Sequence, residues 1–213
     1  MLSSTAEEEP RSSCDAIDFT QVPITEHLEV VRPHHQFKGV SCRGRPWDLS
    51  HLDPFAFRVD PGLGFEVTVV VVFSSHCFTH SLSRDGRARH EIPLDELFDD
   101  GREVRVLCEE RFELSQRRLP ALIRELRSRA IQIAREDPQN FTTSEELEAA
   151  GNQPRHYVVF FEVFRDKKRK RRLLLHVQSA YAKELFDHRR RERRRVSILT
   201  ILKATGLGRK VKA

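Results

Sequence analysis

Paired cysteines are missing from this chain of 213 residues: Cys14, Cys42, Cys77 and Cys108 lie far apart, and no CxxC spacing occurs. With no apolar leader ahead of them, a reduced, cytoplasmic setting is expected. Long apolar runs are also missing. The longest, Val69 to Phe73 with its flanks, is too short to span a bilayer, and the acidic start Glu7-Glu8-Glu9 is unlike a mitochondrial presequence, so no membrane association is expected. A Walker loop, a GxGxxG turn and a nucleophile elbow are absent, which removes the enzyme classes that those motifs mark. Aromatic residues make up 8% of the chain, and the core needs most of the fourteen phenylalanines, which argues against a base-stacking platform of the RRM kind.

What the chain has is charge, unevenly placed. Residues 155–213 carry 19 Lys/Arg against 5 Asp/Glu, whereas the rest carries 18 against 27. Such asymmetry points to a polyanion partner, or to an acidic region that screens the basic one. Two runs concentrate it: seven of the eight residues Arg165 to Arg172, and six of the seven from Arg189 to Arg195, are Lys or Arg. Cations so clustered hold phosphates through counterion release. The candidate contacts are Arg165, Lys167, Lys168, Arg169, Lys170, Arg171 and Arg172 in the first run, and Arg189, Arg190, Arg191, Arg193, Arg194 and Arg195 in the second. The bland alternative is a solvated loop and a solvated helix, kept polar for solubility.

Periodicity divides the chain into an acidic, disordered tail over 1–20, a single α+β domain over 21–182 and a basic C-terminal helix and tail over 183–213. Trp47, Leu49, Leu52, Phe55 and Phe57 read as inward anchors of a loop-rich β entry segment, and Phe65 to Ser75 as a central strand covered on both faces at its end. Leu119, Leu122, Ile123, Leu126, Ala130 and Ile133 predict one principal helix over about 115–136, with Ser115 as its cap. Tyr157–Phe164 and Leu173–Ser179 predict a hairpin with a charged tip. The fold expected is a mostly antiparallel sheet built from Val67–Phe73, Glu103–Leu107 and the two hairpin strands, with the helix packed on one face. Residues Val196 to Leu202 read as a short apolar segment before a fraying end.

Three constellations carry potential chemistry. His176 and Gln178 share one face of the second hairpin strand, and Glu162, central in the first, is placed to meet His176; an imidazole beside a carboxylate suits general acid/base transfer in RNA cleavage. The second is His76-Cys77-Phe78-Thr79-His80, directly after the best strand. There His76 is a candidate catalytic or phosphate-contacting residue, Cys77 reads as a buried structural cysteine, and the spacing lacks the paired form of a zinc site. Neither metal nor cofactor is expected. The third, Glu109-Glu110 ahead of the main helix, reads as charge that complements the helix dipole rather than as a metal site.

The segments Trp47-Asp48-Leu49-Ser50-His51-Leu52, Ser75-His76-Cys77-Phe78-Thr79, Arg111-Phe112-Glu113-Leu114-Ser115 and Val177-Gln178-Ser179-Ala180-Tyr181 resemble a group of uncharacterised bacterial proteins, often encoded in mobile elements. That resemblance covers most of residues 36–182 and implies no activity. Leu173 to Arg195, a strand leading to a Ser-Ala dipeptide and an Arg-rich stretch, is similar to the C-terminal part of small ribonuclease toxins of the RelE and BrnT type. That likeness implies a metal-independent endoribonuclease as one alternative. The function expected first is nucleic-acid binding, RNA more than DNA, with an acidic protein as the other candidate partner.

Overall fold

The computed structural model describes residues 19–147, 154–183 and 195–212. The tail expected over 1–20 falls almost wholly outside that set, as do Cys14, Arg189, Arg190, Arg191, Arg193, Arg194 and most of the basic helix expected at the start of 183–213. In chain order the strands are β1 (Thr20–Val22), β2 (Ser41–Cys42), β3 (Arg45–Pro46), β4 (Phe55–Val59), β5 (Val67–Phe73), β6 (Thr79–Ser81), β7 (Leu97–Asp99), β8 (Val104–Leu107), β9 (Ile131–Glu136), β10 (Gln139–Leu147), β11 (Arg155–Arg165), β12 (Arg172–Lys183) and β13 (Arg195–Val196). The helices are α1 (Glu109–Arg124) and α2 (Ile198–Gly206), with short 3-10 turns between strands. No described helix is long and apolar enough to cross a membrane.

The fold is α+β. Its main sheet has eight strands in the order β1-β4-β5-β12-β11-β10-β9-β13, antiparallel at every step except the β5–β12 pair. The continuous apolar run explains why β5 is central: Val69, Val70, Val71, Val72 and Phe73 are all at most 1% exposed, because both faces of the sheet are covered there. On the larger face Val69, Val71, Phe73, Leu173, Leu175, Val177 and Phe161 pack with Leu119, Leu122 and Ile123 of α1 and Ile201 and Leu202 of α2. On the other face Ala56, Val70, Val72 and Leu174 meet Val30, from the 3-10 segment Ile24–Val30. The anchors Trp47, Leu49, Leu52 and Phe57 are buried as their spacing predicts, with Phe55 half-buried.

Three expectations need correction. The principal helix begins at Glu109 and ends at Arg124, so Ser115 is not its cap but a mid-helix residue whose Oγ donates to the Phe112 carbonyl and lies 2.8 Å from His51 Nε2. Ile133 belongs to β9, where it shares a buried face with Ile131; its place at i+14 of the helical stripe is a coincidence of spacing, and the i, i+2 pair is the strand signal. The acidic pair Glu109-Glu110 consequently sits in the first turn of α1, still where the dipole favours it. Next, Val104–Leu107 does not join the main sheet; it is the middle of a three-stranded sheet β6-β8-β7 at the end of β5. Finally, the C-terminal segment does not fray: Ile198, Ile201, Leu202 and Val211 are buried in the main core, and the Gln139 side chain pairs with both backbone groups of Val211. Residues 195–212 are therefore part of the folded unit.

Candidate functional site: a cationic cleft at His176 and Glu162

The hairpin β11–β12 places Glu162 directly opposite His176, as its alternation predicts. The His176 Nδ1–H donates to Glu162 Oε1 at 3.1 Å. A bulge after Phe160 leaves Gln178 without a register partner and turns its amide toward the same carboxylate; Gln178 Oε1 in turn accepts from Asn140 Nδ2. The His176 bond, with help from Gln178, holds the Glu162 carboxyl below the ordinary glutamate value, against the opposing pull of burial. Glu162 is therefore ionised at neutral pH and, as an acceptor, fixes a hydrogen on His176 Nδ1 and the orientation of the ring. The His176 Nε2 is buried and has no hydrogen-bond partner among the described residues.

A second and third imidazole complete the site, and neither was singled out from the sequence. His35 lies over His176 with ring centroids 5.4 Å apart and is in edge contact with His34 at 4.2 Å. The His35 Nδ1 accepts the Arg32 backbone N–H at 3.3 Å, and Arg102 donates to His34 Nε2 at 3.0 Å. Burial, followed by His34, His176, Arg102 and Arg32, pushes His35 down to about 3; burial and Arg102 lower His34 as well. These side chains line a cleft of about 470 Å³ whose rim carries Arg165, Lys167 and Lys168 from the hairpin tip.

The basic residues are not equivalent. Arg172 is 3% exposed, and its guanidinium is fully engaged, Nε to Asp166 Oδ2 at 2.7 Å and Nη1 to Glu29 Oε1 at 2.6 Å, so it is a buried structural cation and not a phosphate contact. Arg169 pairs with Glu29 at 3.0 Å, and Arg171, at φ +62°, lies 4.4 Å over the Phe65 ring. Arg165, Lys167, Lys168 and Lys170 are exposed and have no carboxylate partner among the described residues. Of the second run, Arg195 is exposed on β13, four strands from β12 in the sheet.

His76 does not join the cleft. Its Nε2 lies 3.0 Å from Glu103 Oε1, and its ring lines a separate pocket beyond the end of β5. With Asp100 and Glu103 it forms a trio close enough to hold a cation, but Arg105 already takes the same Glu103 oxygen at 2.6 Å, while Asp100 is occupied by Ser75 and the backbone of Arg102 and Glu103. Cys77 is fully buried and its thiol is pushed up to about 12 by desolvation, as a structural cysteine requires, and His80 is paired with Asp85 at 3.0 Å.

A family model matches residues 36–206. The chain belongs to the YjaZ family. The match contains His176, Glu162, Arg102 and the whole basic hairpin, and stops short of His34 and His35, so one wall of the cleft is built by chain outside it. The family description names no activity, substrate or partner. Comparison with curated proteins and with solved structures found no match.

Proposed function

We propose that this protein binds nucleic acid, RNA in preference to DNA, along the tip of the β11–β12 hairpin and into the His176 cleft. The observation that carries the reading is the set of exposed cations at the rim: Arg165, Lys167 and Lys168 have no carboxylate within ion-pair distance among the described residues and border the cleft that holds the His176–Glu162 pair. Cations already tied to acids gain little from a phosphate, whereas free ones release counterions and add affinity. RNA is favoured because the pair can distinguish a 2′-hydroxyl, which both donates and accepts. The test is retention of total RNA and of single- and double-stranded DNA at two salt concentrations. Binding that weakens steeply with salt, and that loses about one unit of salt slope in Lys167→Gln, supports the reading; salt-insensitive binding overturns it.

A second reading, a metal-independent endoribonuclease, is favoured by the unpartnered Nε2 of His176. In that mechanism Nε2 removes the 2′-hydroxyl proton and the 2′-oxygen displaces the 5′-oxygen at phosphorus. The departing 5′-oxygen takes its proton from water, while the rim cations stabilise the phosphorane charge. Glu162, ionised and bonded to Nδ1, orients the imidazole and is not the acid. Turnover that survives EDTA and disappears in His176→Ala supports it, and wild-type turnover in that variant removes it. If RNA is neither retained nor cut, the cationic rim belongs to an acidic protein partner.

A further inference from the structure

A second polar pocket, of about 260 Å³, opens where β12 runs on past the end of β5, beside the three-stranded sheet. Three arginines from three separate elements enter it: Arg84 from the 3-10 turn after β6, Arg105 from β8 and Arg111 from the start of α1. Arg111 is 9% exposed, and one nitrogen of its guanidinium, Nη1, donates to the carbonyl oxygens of His76 at 3.0 Å and Thr79 at 2.6 Å. Those bonds fix the plane of the group and leave Nε and Nη2 unbonded among the described residues. The Tyr181 ring lies 4.8 Å beneath it.

The charge in this pocket does not balance. Arg105, 5% exposed, is held by Thr79 Oγ1 at 2.7 Å and Glu103 at 2.6 Å, and the same Glu103 oxygen meets His76. Neither Arg84 nor Arg111 has a carboxylate within ion-pair distance among the described residues. A buried guanidinium without an anion is costly, and burial with Arg105 and Arg84 nearby pushes Arg111 below its ordinary value. Proteins keep such a group where a ligand supplies the missing charge.

We infer that this pocket binds a phosphate group of the phosphomonoester class, with Arg84, Arg105 and Arg111 as its cationic ligands. Two uncompensated guanidiniums match a dianion better than the single charge of a phosphodiester, and arginine forks suit tetrahedral oxyanions. Ser179 and Tyr181, which also line the pocket, add hydroxyl donors for the remaining oxygens. The site does not rest on the nucleic-acid reading, since it shares no lining residue with the His176 cleft.

The experiment is a calorimetric titration of the full chain with inorganic phosphate, chloride holding the ionic strength constant. It is repeated on Arg84→Gln, an exposed change that leaves the core intact, and on Lys210→Gln, which removes the same charge outside the pocket. Saturable binding by the wild type that weakens about tenfold or more in Arg84→Gln and is unchanged in Lys210→Gln supports the site. Absence of saturable binding, or equal loss in both variants, overturns it. RNA oligonucleotides with and without a 5′-phosphate then separate the sources: a preference for the phosphorylated strand that Arg84→Gln erases assigns the pocket to a strand end, and indifference to it, with phosphate still bound, assigns it to a small phosphate ester.

Discussion

Acidification should destabilise this protein through its imidazoles before its carboxylates are protonated, and His35 isolates the effect. The ring is 7% exposed, its Nδ1 accepts the Arg32 N–H, and it faces His34, His176, Arg32 and Arg102, which are positive or become positive on protonation. Its folded value is about 3 against 6.5 for the free side chain. Between those limits the unfolded chain binds a proton that the folded chain refuses, so the stabilisation is complete above the unfolded value and is lost as pH falls toward the folded one. At about pH 5 the unfolded imidazole is nearly all protonated and the folded one nearly all neutral, which makes the loss about 2 kcal/mol from this residue. The comparison is urea unfolding of wild type and His35→Asn at neutral pH and at about pH 5; asparagine keeps an acceptor for the Arg32 N–H and cannot titrate. Glu29, Asp85, Glu96 and Asp166, all held low by arginine partners or backbone N–H groups, release their contributions below about pH 4 and leave the window clear. Wild type should lose about 2 kcal/mol more than the variant over this interval. Equal losses would refute the account, because His35 would then be titrating freely in the folded chain.

The hairpin cations should separate by role. Arg172→Gln leaves Asp166 buried without its partner and should cost about 3 kcal/mol or more in chemical unfolding, whereas Lys168→Gln, on the exposed tip, should stay within about 0.5 kcal/mol while weakening RNA retention; comparable stability in the two variants would contradict the structural role given to Arg172. Ile201→Ala should lose about 2–4 kcal/mol, since Ile201 is fully buried against the main core, and a negligible change would mean that residues 195–212 are dispensable to the fold. Cys77, buried with its thiol raised to about 12, should resist a thiol-alkylating reagent at pH 8 until the chain is unfolded, as followed by peptide mass; rapid modification of the native protein would contradict its burial.

The parts of this molecule that the sequence makes legible are those decided over a few residues. Alternation places β5, β11 and β12 and sets Glu162 across from His176, because a strand has one period and a hairpin tip as charged as Arg165 to Arg172 has to be at the surface. The end of α1 was not legible for a related reason: Leu119, Leu122, Ile123, Leu126, Ala130 and Ile133 fit one helical stripe on paper, although the chain turns before Ile131. The eight-strand order was out of reach, since the parallel β5–β12 contact joins residues about a hundred apart with no local signature. His35 escaped notice because Pro33-His34-His35 has no periodicity, and its significance comes wholly from lying over His176. Arg172 misled in the opposite sense, being indistinguishable in sequence from the free cations next to it until Asp166 and Glu29 are seen to enclose it.

Both clefts owe their geometry to that parallel pair. Because β5 ends at Phe73 while β12 continues to Lys183, the chain after β5 must turn beside β12, and Ser74 ties the turn by donating to the Gln178 carbonyl at 2.6 Å. The segment from Asp100 into β8 then runs between the two sites: Asp100 accepts from Ser75, Arg102 reaches His34 in the first cleft, and Arg105, which donates to Glu103, lines the second. The bulge at Gln178 lies at the same junction, supporting Glu162 on one side, while its neighbour Ser179 faces the arginine pocket. A phosphate at Arg105 and Arg111 would compete with Glu103 for Arg105, and Glu103 is one residue from Arg102, which donates to His34. One short segment therefore supplies charged side chains to both sites, Arg102 to His34 in the first and Arg105 to the lining of the second.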